Sequence, residues 1–65
     1  MLIKVNGLDR DVPDNSSLLD LLAELKLTPD KVAVEVNRRL VRTANYSNPL
    51  KAGDTVEIVT FVGGG

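Results

Sequence analysis

Four leucines, Leu18, Leu21, Leu22 and Leu25, recur at i, i+3, i+4 and i+7, a spacing that lines them up along one face of an α-helix. Asp20, Glu24 and Lys26 stay toward water. A helix over residues 18–25 is too short to persist alone, because nucleation is costly and isolated helices in water need about 12–15 residues. Its stability must come from burying the leucine stripe, and one face of a sheet is the surface that fits. Ser17 followed by Asp20 marks the start as a capping box in which Asp stands in for Glu.

The rest of the chain supplies the strands. Residues 1–5 alternate, with Ile3 and Val5 on one side and Leu2 and Lys4 on the other. Asn6-Gly7 is a strong two-residue hairpin signal, and residues 8–12 form the return strand until Pro13-Asp14-Asn15 stops it. Thr28-Pro29-Asp30 ends the helical pattern. Val32, Val34 and Val36 then share one face of a strand over 32–36, opposite Ala33 and Glu35, in a position expected inside the sheet. Asn37-Arg38-Arg39 turns into the apolar pair Leu40-Val41, and residues 42–49 are polar and aperiodic, as expected of a crossing loop. A turn over 50–54 leads into a last strand over 55–62, rich in β-branched and aromatic residues, which runs into Gly63. The order describes an α+β chain, a β-grasp arrangement in which one main helix crosses one face of a mixed sheet. It predicts a single domain over residues 1–65, with a flexible glycine tail at 63–65 and with the first and last strands adjacent near the middle of the sheet.

Composition narrows the chemistry. A chain of 65 residues buries only about 60% of its unfolded surface, which leaves room for one small core and little for a deep active site. Eight bases against nine acids give a net charge of −1, far from the sustained positive field that nucleic-acid binding requires. The chain has neither cysteine nor histidine, which removes the thiolate nucleophile, the commonest general base and the commonest metal ligands. No metal site is expected. The opening MLIKVNG resembles neither a charged leader nor an apolar span of about 20 residues, so no membrane partner and a cytoplasmic location are expected.

What remains is the end of the chain. Gly63, Gly64 and Gly65 have no Cβ and can thread a channel too narrow for side chains. The working group there is the carboxylate of Gly65. A carboxylate is a poor electrophile, so it must be converted to an acyl adenylate with ATP before sulfur or an amine can displace the leaving group, and a partner enzyme must supply that step. A carrier of this kind needs no catalytic side chain of its own and gains from lacking a thiol that would capture the activated acyl group. Glycine by itself does not separate such a tail from a frayed end or a linker. The preceding strand adds weight. With Val56 and Ile58 toward the helix, Val59 and Phe61 point outward beside the tail, where they suit partner docking or, alternatively, cover a satellite core. Arg38, Arg39 and Arg42 read as a solvated turn, and Tyr46 as an anchor for its loop.

The VAVEVN strand followed by a turn and LV, the closing segment PLKAGDTVEIVTFVGGG and the glycine tail together resemble the ThiS family from end to end. MoaD-type carriers are similar but usually longer, and ubiquitin shares only the architecture and the terminal Gly-Gly. The resemblance implies a sulfur carrier of thiamine biosynthesis that is a protein co-substrate rather than an enzyme. Gly65 is then the atom-bearing end, adenylated by a ThiF-like enzyme that uses ATP and magnesium, and converted to a thiocarboxylate with sulfur from a donor system. Gly63 and Gly64 occupy the enzyme's channel. The thiocarboxylate passes its sulfur to a ThiG-like thiazole synthase, and the carrier binds no cofactor itself and is a monomer when free. The family needs a terminal pair, so Gly63 is one glycine more than the pattern requires. A MoaD-like carrier for another product and a ubiquitin-like protein modifier remain open alternatives.

Overall fold

The computed structural model describes residues 1–61. Strand β1 (Leu2–Val5) and strand β2 (Leu8–Asp11) form an antiparallel hairpin registered from Leu2 opposite Asp11 to Val5 opposite Leu8. Its turn places Asn6 at φ 49° and Gly7 at φ 85°, the pair of positive angles that lets a two-residue turn follow the twist of its strands. Helix α1 (Leu18–Glu24) opens on the expected capping box: the Ser17 hydroxyl accepts from the Asp20 N–H at 3.2 Å, and the Asp20 carboxylate accepts from the Ser17 N–H at 2.9 Å.

Leu25 caps the helix rather than extending it. Lys26 follows at φ 61°, and the N–H groups of Lys26 and Leu27 return to the carbonyls of Ala23 and Leu22. This is a Schellman closure with lysine in the place usually held by glycine. A 3₁₀ turn (Pro29–Lys31) leads into β3 (Val32–Val36), and β4 (Arg39–Val41) returns antiparallel through Asn37 and Arg38, both at positive φ.

Residues 42–49 are more ordered than a bare crossing loop. They contain a 3₁₀ turn (Thr43–Asn45), and the Tyr46 carbonyl accepts from the Leu19 N–H at 3.0 Å. Tyr46 is 2% exposed, so its ring anchors the segment in the core. A clasp from the Leu50 N–H to the Ser16 carbonyl, 2.7 Å, closes the other end.

The last strand, β5 (Thr55–Thr60), lies in the middle of a five-stranded sheet of order β2-β1-β5-β3-β4. It runs parallel to β1 and antiparallel to β3. One face of this sheet is buried against α1: Ile3, Val34, Val56 and Ile58 meet Leu18, Leu21 and Leu22 in a single core. The mixed sheet with one main helix on one face is the β-grasp architecture read from the sequence.

The strand stops at Thr60, short of the expected Val62. Its partner explains why. Thr60 pairs with Val32, the first residue of β3, and the chain before that is folded into the 3₁₀ turn. One further bond, from the Phe61 N–H to the Lys31 carbonyl at 2.9 Å, is the last of the ladder among the described residues. Among the described residues, no helix is long and apolar enough to cross a membrane.

Candidate functional site

The candidate site is the C-terminal end of β5, and two asparagines hold that strand. Asn37 grips its start: the side-chain oxygen accepts from the Thr55 N–H at 2.9 Å, while its amide donates to Asp54 Oδ1 at 2.9 Å. Asp54 in turn accepts from the Lys51 N–H at 2.8 Å, which fixes the turn before the strand. Asn6 grips the far half. The β1–β5 register pairs Lys4 with Thr55 and Val5 with Val56, and the last backbone bond runs from the Asn6 N–H to the Val56 carbonyl at 2.8 Å, after which the chain turns away. There the Asn6 side chain takes over from the missing backbone, accepting from the Ile58 N–H at 2.7 Å and donating to the Ile58 carbonyl at 3.3 Å.

Both residues read from sequence as turn formers only. Their second role joins positions 52 and 18 residues apart, and no local pattern encodes it. The one available signal was that asparagine tolerates positive φ while keeping an amide that can imitate a peptide group.

Beyond this clamp the side chains alternate as expected. Val56 and Ile58 are buried, whereas Val59 is 62% exposed and Phe61 60% exposed. No satellite core covers either of them among the described residues. On the same outer face Val59 sits opposite Ala33, and Glu57 sits directly opposite Glu35, a like-charge cross-strand pair that is mildly unfavourable in isolation. Arg38, Arg39 and Arg42 are exposed at the other end of β3, away from the end of β5, so they form no common site with Val59 and Phe61. Gly63, Gly64 and Gly65 lie outside the described residues.

A β-grasp sheet with one main helix on one face and β5 in its middle, between β1 and β3, defines the ubiquitin-like class of small domains. A family model described as the ThiS family matches residues 3–65, and the chain belongs to that family. The crystal structure of the thiamine biosynthesis protein (ThiS) from Geobacter metallireducens superposes with a TM-score of 0.78 at 35% identity, covering the whole of both chains. A solution structure of a thiamine biosynthesis protein from the same organism gives 0.77 at 32% identity, over all of this chain and 88% of that one. Two curated relatives, both named thiazole synthase, from Paramagnetospirillum magneticum and Magnetococcus marinus, are each 38% identical over 66 residues. The match takes in all of this chain but only 20% of each relative, so the chain spans about a fifth of the length of the curated relatives it matches.

Proposed function

We propose that this domain is a sulfur carrier of thiamine biosynthesis that works through the carboxylate of Gly65. The observation that carries the reading is family membership over residues 3–65, a span that includes the three glycines. The chemistry follows from the group available. A carboxylate oxygen of Gly65 attacks the α-phosphorus of ATP on a ThiF-like adenylating enzyme, releasing pyrophosphate, with magnesium held by that enzyme. A sulfide equivalent from a donor system then attacks the acyl carbon and AMP departs, leaving a thiocarboxylate. Such a step asks nothing of the carrier's side chains, in keeping with the lack of Cys and His.

Gly63 and Gly64 enter the enzyme's channel, and Val59 and Phe61 dock on the surface around its mouth. The thiocarboxylate sulfur is next transferred to a ThiG-like thiazole synthase. Support for that partner comes from the two relatives named thiazole synthase, in which a region similar to this chain is part of a longer polypeptide.

The test is the intact mass of the protein after incubation with the adenylating enzyme, ATP, magnesium and a sulfur donor. The expected result is the gain of one sulfur for one oxygen at Gly65, and an unchanged mass would overturn the proposal. Rescue of a thiamine auxotroph separates thiazole formation from a MoaD-like role. Lysine-linked adducts in cells would instead point to a protein modifier.

A further inference from the structure

The register of β5 leaves half of one edge open. Phe61 and Thr55 exchange bonds with the β3 side, through the Lys31 carbonyl and the Asn37 N–H, so the odd-numbered residues of β5 face β3. The even-numbered residues face β1: the Asp54 and Val56 carbonyls accept from the N–H groups of Lys4 and Asn6, and Ile58 is bound by the Asn6 side chain. Thr60 is the next residue in that series. Its N–H and carbonyl point to the side that β1 has left, and no bond to either group occurs among the described residues. Asn6 therefore closes the edge for one residue pair and no further.

We infer that the open edge at Thr60 is a β-strand docking site, and that its occupant is an extended backbone segment of the adenylating enzyme, laid alongside β5 where β1 would have continued. The inference rests on the sulfur-carrier reading and adds to it how the end of the strand is held. Two observations favour an enzyme that acts on Gly65 at this edge, and the adenylating enzyme is the first to do so on the sulfur-carrier reading. On that reading Gly65 is the reactive end, four residues beyond Phe61, and at about 3.3–3.6 Å per residue those four span at most roughly 14 Å. An enzyme that reaches the Gly65 carboxylate must therefore lie against the Thr60–Phe61 end of the sheet. Among the described residues β5 carries neither a proline nor a lysine, two of the devices that usually block strand addition, and Thr60 is exposed, with Lys26, Leu27 and Thr28 beside it and Phe61 across a shallow hollow. An added strand would bond the Thr60 N–H and carbonyl, which have no partner among the described residues, while its side chains meet the outward-facing Val59 and Phe61 on one face of the sheet.

The test uses the complete chain and its adenylating enzyme. Amide hydrogen exchange at Thr60 is measured free and in the complex, and slowing of at least about tenfold is expected. Thr60→Pro removes that N–H without touching the β3 ladder. A synthetic chain with an ester in place of the Thr60 amide removes it while keeping the side chain. Each variant, checked for folding by urea unfolding, should raise the KM of adenylation about tenfold, the size of effect expected for one well-made hydrogen bond. Wild-type chain that gains sulfur while its Thr60 amide exchanges at the free rate, with the ester variant at an unchanged KM, overturns the inference and leaves the carrier reading standing. Slowing that depends on the concentration of the free domain and not on the enzyme assigns the edge to a second copy and also overturns it. A wild-type chain that gains no sulfur fails one step earlier, at the carrier reading itself.

Discussion

Replacing Asn6 separates its two duties. The residue holds φ at 49° in the turn and donates and accepts one hydrogen bond each at Ile58. Asn6→Gly keeps the turn angle accessible and deletes both bonds. At about 0.5–1.5 kcal/mol per bond the loss is roughly 1–3 kcal/mol, with up to about 1 kcal/mol more from the added freedom of glycine in the unfolded chain. A domain of 65 residues has a total stability of roughly 3–10 kcal/mol, so the change removes a sizeable share. With a urea m-value of about 1 kcal/mol/M for so small a protein, the unfolding midpoint should fall by about 2 M at constant m. Asn6→Asp retains the acceptor for the Ile58 N–H but turns a carboxylate oxygen toward the Ile58 carbonyl, and should lie between the two. Far-UV circular dichroism during urea titration reads the series. A glycine variant within about 0.5 kcal/mol of the parent would refute the view that the side chain replaces a missing stretch of β1.

Glu57→Lys converts the like-charge pair with Glu35 into an opposite-charge one, and should raise stability by a few tenths to about 1 kcal/mol at low salt, an increment that fades in high salt. Phe61→Ala removes an exposed ring, so thermal unfolding should shift by no more than about 0.5 kcal/mol equivalent, while affinity for the adenylating enzyme, measured by calorimetry, should fall about tenfold or more. The ammonium of Met1 donates to Asp11 Oδ1 at 3.2 Å and lies 3.3 Å from Asp14 Oδ1. These hydrogen bonds, first to Asp11 and then to Asp14, hold its pKa above the ordinary 8.0. A base whose pKa is raised on folding contributes stability that is fully present below the unfolded value and disappears as pH climbs through the folded one. The urea midpoint of the 65-residue polypeptide should therefore decline above about pH 8, and acetylating the amine should flatten that decline.

The elements legible in the sequence are those encoded by neighbours. The leucine stripe, the Ser17–Asp20 box, the alternation through Val32, Val34 and Val36, and the Asn6-Gly7 turn each need only a few adjacent residues, and each took the predicted form. The turn at Asn37-Arg38 was legible as a turn, although no glycine announces its two positive φ values. What escaped was set by distance along the chain. The end of β5 depends on where β3 begins, the order in residues 42–49 depends on bonds to Ser16 and Leu19, and the two asparagine clamps depend on a strand that is adjacent only after folding. For the candidate site, the outward direction of Val59 and Phe61 followed from period-2 alternation, whereas the open edge at Thr60 required the register.

Placing the final strand between the first and the third also constrains biogenesis. While the ribosome is still making residues 55–60, β1 and β3 have no common neighbour, and the pairing that unites them spans most of residues 1–65. Hairpin and helix can form early, but closure waits for residues 55–60 to emerge, as non-local pairing generally does. A nascent chain interrupted before that point is left with a split sheet and a half-covered leucine face, an obvious target for proteolysis. Any product cut short before Thr55 lacks the strand that joins β1 to β3.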